Sequence, residues 1–135
     1  MDSISIVKNY YAAFNNRDWD GMLALLADDV RHEPNQGEAR IGKALFRQFM
    51  QKMDAAYAET LHDMVFMHDA TGTRFACEFV VHGIYKVAEE GLPPAHGQSY
   101  RLPAGAFLEV RDGKIQRVTT YYNLPLWIEL VAGRS

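Results

Sequence analysis

The hydrophobic positions in the first half of the chain recur with the period of an α-helix. Four of them follow one another at intervals of three and four residues: Ile4, Val7, Tyr11 and Phe14. This spacing places them on one face of an amphipathic helix. Asp2 or Ser3 is suited to cap its first turn, and Asn15-Asn16 is suited to end it, because Asn tolerates the left-handed conformation.

Two further helices are predicted before the midpoint of the chain. Asp18 is a suitable N-cap for a short helix with four apolar positions: Met22, Leu23, Leu25 and Leu26. A longer helix is predicted to begin near Gly42, and its buried face is formed by Leu45, Phe46, Phe49, Met50, Met53 and Tyr57. Between them, residues 30–33 have the pattern of a short strand, which Pro34 interrupts.

The second half of the chain has the pattern of strands joined by turns. Residues 62–68 and 73–85 flank a polar loop that ends in Gly72, and this arrangement predicts a hairpin. Residues 98–110 and 114–122 flank an Asp-Gly turn and predict a second hairpin. The segment between these hairpins holds two prolines and two glycines and is predicted to be a loop. The tail, residues 124–131, is compatible with a short helix or a strand extension.

Helices followed by a meander of strands are typical of the α+β class. A chain of 135 residues, with nearly half of them hydrophobic, fits one domain over residues 1–135 with a sizeable core. The helices are expected to cover one face of the sheet. The other face then requires a cover, and we expect a homodimer formed through the sheet.

Composition narrows the possible partners and the compartment. The formal net charge of −3 argues against nucleic acid or an anionic membrane as a main partner, since both favour a basic surface. The single cysteine, Cys77, excludes an intrachain disulfide and a site built on several thiolates. No apolar run approaches the length of a membrane span, and the N-terminus lacks a signal-peptide pattern. A cytoplasmic protein is therefore expected.

Metal ions and nucleotide cofactors are not expected either. Five histidines are scattered along the chain without ligand spacing: His32, His62, His68, His82 and His96. His32-Glu33 lacks a second histidine four positions on, where Gln36 stands, so it is not a zincin motif. Glycine-rich phosphate loops and a serine nucleophile elbow are also missing from the sequence.

Several segments resemble the bacterial ketosteroid isomerases and their SnoaL-like relatives in the nuclear-transport-factor-2-like superfamily. The similar segments are residues 7–15 (VKNYYAAFN), 18–22 (DWDGM), 25–30 (LLADDV), 32–34 (HEP), 40–42 (RIG) and the final hairpin. The resemblance covers essentially the whole chain at low identity. It implies a cone-shaped, curved sheet that is mainly antiparallel, with three N-terminal helices enclosing a pocket.

The resemblance also implies positions for a catalytic site. The family's tyrosine, on the first helix, falls on Tyr10, and its base, which precedes a proline on the first strand, falls on Glu33. The family's protonated aspartate lies between anchors that resemble Pro103 and Phe107, and Gly105 stands at that position. Losing one of two oxyanion donors typically costs about 3–4 kcal/mol of transition-state stabilisation, so this departure argues against efficient steroid isomerisation.

Without the family resemblance, each of these residues and a few others is compatible with two roles. Glu33 is suited to be a pocket base or a solvated residue at a strand end, and Tyr10 is suited to be a ligand donor or a core tyrosine. Alternation places Val118, Thr120 and Tyr122 on one strand face, which in the relatives lines the pocket. His82 is a candidate proton carrier in a polar patch of the cavity, but a place at the interface or in solvent is equally compatible.

These observations lead to one preferred function and two alternatives. The preferred function is a small-molecule enzyme that uses acid–base chemistry on an apolar, oxygen-bearing substrate, as an isomerase, cyclase, dehydratase or hydrolase. No cofactor is expected, and the predicted ligand is a small hydrophobic molecule. The alternatives are a binding module that holds such a molecule without turnover and a dimerisation module of the same fold.

Overall fold

The computed structural model describes residues 2–35 and 37–133, and over these ranges the chain forms four helices and six strands. The helices are α1 (Ser3–Asn15), α2 (Trp19–Ala24), α3 (Lys43–Ala56) and α4 (Leu124–Ala132). The strands are β1 (Leu26–Glu33), β2 (Arg40–Ile41), β3 (Tyr57–His68), β4 (Arg74–Tyr85), β5 (Gln98–Arg111) and β6 (Lys114–Tyr122).

The six strands form one sheet in the order β2-β1-β6-β5-β4-β3. β1 runs parallel to β6, and every other neighbouring pair is antiparallel. The sheet is curved and unclosed, and the helices pack on its inner face. This architecture confirms the predicted α+β class and the mixed sheet.

The predicted helix caps are present in the structure. The Asp2 side chain accepts a hydrogen bond from the Ser5 backbone N–H (3.0 Å), and the Asp18 side chain accepts one from the Gly21 N–H (2.9 Å). These carboxylates satisfy N–H groups that the first turn leaves without intrahelical partners. At the end of α1 the left-handed residue is Arg17 (φ 56°), one position beyond the predicted asparagines.

The second hairpin follows the prediction closely, whereas β3 differs from it. Asp112 and Gly113 both have positive φ (53° and 73°), as a type I′ turn between twisted strands requires. β3 begins at Tyr57, although helical periodicity had assigned Tyr57 to the third helix. The tail is a helix, α4, capped by Asn123, whose side chain accepts a hydrogen bond from the Leu126 N–H (3.1 Å).

A β-bulge in β3 contributes to the curvature of the sheet. The register to β4 shifts between His62 and Val65, and Asp63 has a φ of 55°. Bulges bend the bulged strand and increase its twist. Just before the bulge, the Asn15 side chain exchanges two hydrogen bonds with the Leu61 backbone (3.0 and 2.8 Å) and so fixes the end of α1 against β3.

The described residues include no helix that is both long and apolar enough to cross a membrane.

Candidate active site

A cavity of about 340 Å³ lies between the helices and the inner face of the sheet. A volume of this size is at the lower end of the range of small-molecule sites. Most of the wall is apolar and aromatic, with contributions from Phe14, Trp19, Met22, Phe46, Phe49 and Trp127. The cavity is therefore suited to a compact hydrophobic ring system, and its polar groups decide what chemistry is possible.

Four residues singled out from the sequence line this cavity. Val118, Thr120 and Tyr122 project from the inner face of β6, and Tyr10 projects from α1. Tyr10 is 4% exposed and packs edge-on against Tyr11, with ring centroids 4.9 Å apart. Burial raises the pKa of the Tyr10 hydroxyl above its usual value, so the hydroxyl keeps its proton at neutral pH.

Glu33 points away from the cavity and does not line it. Its carboxylate accepts a hydrogen bond from the Thr119 hydroxyl (2.7 Å) on the outer face of the sheet. The Arg31 and Arg117 side chains lie 3.4 and 3.8 Å from its oxygens. The Thr119 hydrogen bond, followed by the charge of Arg31, lowers the Glu33 pKa. This carboxylate is therefore held ionised on the outer face, opposite to the position that the resemblance implies.

His82, Gly105 and Phe107 also lie on the outer face rather than in the cavity wall. His82 stacks on His62 with ring centroids 3.8 Å apart, and Phe107 is 46% exposed. A Cβ built at Gly105 would lie 3.2 Å from the Cys77 carbonyl oxygen. The physical reason is the two-residue period of a strand, since a shift of one position moves a residue to the opposite face.

The inward-facing neighbours of these outer-face residues have side chains of a different chemical type. On β5 they are Ala104 and Ala106, neither of which supplies an acid. On β1 the inward residue is His32, which is 4% exposed and lines the cavity. The motif His32-Glu33-Pro34 therefore presents its imidazole to the cavity and its carboxylate to the outer face.

His32 is held in an apolar aromatic setting. Its ring centroid lies 4.3 Å from that of Phe46 and 4.7 Å from that of Phe49. Burial, together with the nearby charge of Arg40, lowers the His32 pKa from 6.5 to about 4. The imidazole is thus neutral at physiological pH, and its Nδ1 atom is buried without a hydrogen-bond partner among residues 2–35 and 37–133.

Sequence reasoning missed a carboxyl group on the opposite side of the cavity. Glu59 lies on β3, which three strands (β6, β5 and β4) separate from β1, and it lines the cavity. The Tyr100 hydroxyl, from β5, donates a hydrogen bond to the Glu59 carboxylate. Burial raises the Glu59 pKa above its usual value, and the Tyr100 hydrogen bond partly offsets that rise.

A glycine on the intervening strand makes the Glu59–Tyr100 contact possible. Gly83 pairs with Glu59 on one side and with Tyr100 on the other, so the three residues form one row across β3, β4 and β5. A Cβ built at Gly83 would lie 2.2 Å from Tyr100 Cζ and 2.4 Å from its hydroxyl oxygen. The missing side chain leaves the space in which the phenol ring crosses β4 to reach the carboxylate.

The sequence does contain a signal for the position of Glu59. Tyr57, Glu59 and Leu61 alternate with Ala58 and Thr60, which is the strand pattern that carries them to the inner face. The helical spacing of the preceding segment extends to Tyr57 and therefore favoured a helix at the position where the strand begins. Beyond the bulge the inward positions change from odd to even numbers, and Met64 and Phe66 pack against the core.

The histidines remain separated from one another except for the His62–His82 pair. Over residues 2–35 and 37–133, no group of three or more metal-ligating side chains comes together.

The chain belongs to the SnoaL-like domain family, whose sequence model matches residues 7–118. A comparison with curated protein sequences found no match. Among solved structures, a candidate polyketide cyclase from Pseudomonas putida KT2440 is 55% identical, with a TM-score of 0.95 over 98% of this chain and 99% of that chain. A candidate polyketide cyclase from Xanthomonas campestris pv. campestris is 53% identical, with a TM-score of 0.93 over 96% of each chain.

More distant structures show the fold alone. A hypothetical protein with a ketosteroid-isomerase-like fold from Catenulispora acidiphila DSM 44928 is 19% identical, with a TM-score of 0.71 over 88% of this chain and 85% of that chain. Together, the comparisons confirm the predicted SnoaL-like family and the predicted nuclear-transport-factor-2-like fold.

Proposed function

We propose that this protein is a small-molecule enzyme that moves a proton on an apolar substrate bearing a carbonyl group. The observation that carries the proposal is the pair formed by Glu59 and His32, whose environments shift their pKa values in opposite directions inside one cavity. Such pairs are typical of acid–base sites. The similarity to candidate polyketide cyclases is consistent with this, because deprotonation next to a carbonyl starts an aldol-type cyclisation.

Glu59 is the proposed base. In its ionised form the carboxylate takes a proton from the carbon next to the carbonyl. The electron pair of that C–H bond forms a C=C bond, and the π pair of the carbonyl moves onto the oxygen, which gives the enolate. The resulting carboxylic acid then returns the proton to the product carbon or oxygen. A raised pKa suits both steps, because it makes the carboxylate a stronger base than an ordinary glutamate and lets the acid form persist long enough to return the proton.

His32 is the proposed donor to the developing oxyanion, and Tyr10 is the proposed second donor. A neutral imidazole carries one N–H, and a neutral histidine with a lowered pKa polarises the substrate carbonyl in this way in triosephosphate isomerase. Both His32 and Tyr10 pack against Phe46, with centroid distances of 4.3 and 6.4 Å, so they belong to the same part of the wall. These two donors would take over the oxyanion-binding role of the acid that β5 does not supply.

The test is exchange of carbon-bound protons on a simple bicyclic ketone, 2-tetralone, in D₂O, followed by proton NMR. The protein is expected to accelerate exchange of the protons next to the carbonyl. Replacing Glu59 by Gln is expected to lower the protein-dependent rate roughly 10²–10⁴-fold, the usual contribution of a positioned base. Glu33→Gln is the matched comparison, since it makes the same change on the outer face, and it is expected to retain the rate.

The comparison between the two glutamates decides which assignment holds. Loss of exchange in Glu33→Gln but not in Glu59→Gln would restore the assignment that the family resemblance implies. Retention of exchange in both variants would exclude both carboxylates as the base. Binding of the ketone by each variant, measured separately, shows that the cavity is intact.

A second candidate function is a binding module that holds an apolar molecule without turnover. The observation in its favour is the pair of alanines, Ala104 and Ala106, at the inward positions of β5, where an acid would be expected in an isomerase. This function predicts tight binding of 2-tetralone with no exchange above the buffer rate in the wild-type protein.

We further propose that the outer face of the sheet forms a homodimer. Phe107 and Tyr121 are 46% and 57% exposed there, with ring centroids 5.9 Å apart, beside a depression of about 260 Å³. Large exposed aromatic groups on a sheet face favour burial against a second copy. Analytical ultracentrifugation of the wild type and Phe107→Glu tests this, since the charge is expected to shift the population towards monomer.

A further inference from the structure

Among the residues that the structure describes, three cationic side chains line the cavity, and two of them are already neutralised by carboxylates. Arg17 pairs with Asp54, and Lys52 lies 4.0 Å from the Glu89 carboxylate. All four of these residues line the cavity. Arg40 is the third cation of the lining, and it forms no ion pair with any residue in the ranges 2–35 and 37–133.

The strand pairing directs Arg40 towards the cavity. Arg40 on β2 lies directly opposite His32 on β1, and residues that oppose one another in a sheet share a face. The guanidinium carbon lies over the Phe49 ring, 5.4 Å from its centroid. Stacking of this kind holds the guanidinium by its face and leaves its N–H edge available for a ligand.

Asn35 presents an unsatisfied donor at the same end of the cavity. Its side-chain oxygen accepts a hydrogen bond from the Tyr122 backbone N–H (3.3 Å). Only the oxygen of an amide can accept from an N–H, so this contact fixes the orientation of the side chain. The Nδ2 atom is then a donor, and it is buried without a hydrogen-bond partner in the described part of the chain. A buried donor without a partner is destabilising, and a ligand oxygen that accepts from it would relieve this cost.

The charges on the rest of the wall would orient an anion towards this end. Among the described carboxyl groups of the lining, Asp54 pairs with Arg17 and Glu89 lies near Lys52. The third, Glu59, lies on β3, at the opposite edge of the sheet from β2. An anionic group is repelled there and attracted at Arg40. The wall is thus polarised, with the donors of Arg40 and Asn35 towards the β2 edge of the sheet and the Glu59 acid at the β3 edge.

We propose that Arg40 and Asn35 form a carboxylate-binding subsite, so that the ligand of this cavity is an apolar ring compound carrying a carboxylate. That this compound is also the substrate rests on the function proposed above. Its carboxylate would lie at the β1–β2 end, with the apolar body across the aromatic wall. Glu59 would then face the part of the molecule remote from the carboxylate.

The test compares two probes of similar size by isothermal titration calorimetry: 2-naphthoate, which carries a carboxylate, and 2-acetonaphthone, which carries a neutral ketone. The wild type is expected to bind 2-naphthoate roughly tenfold to a hundredfold more tightly, the range for a hydrogen bond to a charged group. Arg40→Gln is expected to remove that preference and to leave 2-acetonaphthone binding unchanged, which also shows that the variant is folded. Asn35→Asp, which places a carboxylate in the subsite, is expected to weaken the binding of 2-naphthoate and to leave the binding of 2-acetonaphthone unchanged.

Arg47→Gln is the matched control, because Arg47 lies outside the cavity lining and pairs with Asp20 at 2.9 Å. It removes one positive charge elsewhere and is expected to keep the preference. Equal binding of the two probes by the wild type, failure of both to bind, or an equal loss of both in Arg40→Gln would each overturn the subsite. Exchange by Glu59→Gln at the wild-type rate would overturn the proposed reaction while leaving the binding preference intact, so the two failures are distinguishable.

Discussion

The sharpest structural prediction concerns Gly83, which provides the space for the Tyr100 ring. Gly83→Ala would place a Cβ 2.2 Å from Tyr100 Cζ, and atoms at that separation overlap. The backbone of Gly83 has no positive φ, so alanine is compatible with the local backbone and the conflict is purely with Tyr100. The ring must therefore move, and its hydrogen bond to Glu59 must weaken or break.

The expected cost has two parts. Inserting a methyl group into a filled space costs about 1–3 kcal/mol. Losing a hydrogen bond to a buried polar group costs about 1–3 kcal/mol. We therefore expect Gly83→Ala to lower the free energy of unfolding by about 2–6 kcal/mol. With an unfolding entropy of about 2.1 cal/mol/K per residue over 135 residues, the melting temperature should fall by roughly 7–21 °C.

A double-mutant cycle separates the steric conflict from other effects. Unfolding in urea is measured for the wild type, Gly83→Ala, Tyr100→Ala and the double variant. In the Tyr100→Ala background the obstructing ring is gone, so Gly83→Ala should be neutral or should stabilise by about 0.5 kcal/mol through reduced freedom of the unfolded chain. An equal loss of stability from Gly83→Ala in both backgrounds would refute the reasoning.

Three further predictions follow from individual residues. Because burial lowers the His32 pKa to about 4, the unfolded chain binds a proton between pH 6.5 and 4 that the folded chain does not. The free energy of unfolding should therefore fall by about 3 kcal/mol as the pH falls through this window. Urea unfolding at several pH values should show this dependence, and His32→Phe should reduce it. Tyr100→Phe removes a hydrogen bond that lowers the Glu59 pKa, so isotope-edited infrared spectroscopy of that carboxyl should show titration at higher pH than in the wild type. Gly113→Ala forces a residue with a side chain to a φ of 73° in the turn after Asp112, and thermal unfolding should show a loss of about 1–2 kcal/mol.

Periodicity in the sequence was sufficient to predict most of the elements. The spacing of Val7, Tyr11 and Phe14 is a local property of α1, and the Asp112-Gly113 turn is a local property of one hairpin. Local patterns predict local structure because helix and strand periods depend only on the backbone of the segment itself. The inward set of β6, with Val118 and Thr120, could be predicted for the same reason.

The residues that meet in the cavity depend instead on how distant strands pair. Glu59 and Tyr100 are 41 positions apart and meet across Gly83 of a third strand. In the same way, the inward side of β1 depends on its pairing with β6, which exposes His32 to the cavity and Glu33 to the outer face. The alternation of side chains along a strand defines two faces but does not determine which face the helices cover. The covered face depends on the register between segments that are remote in the chain. The sequence by itself therefore determined the elements and the family, and only the tertiary structure decided which carboxylate and which imidazole share the cavity.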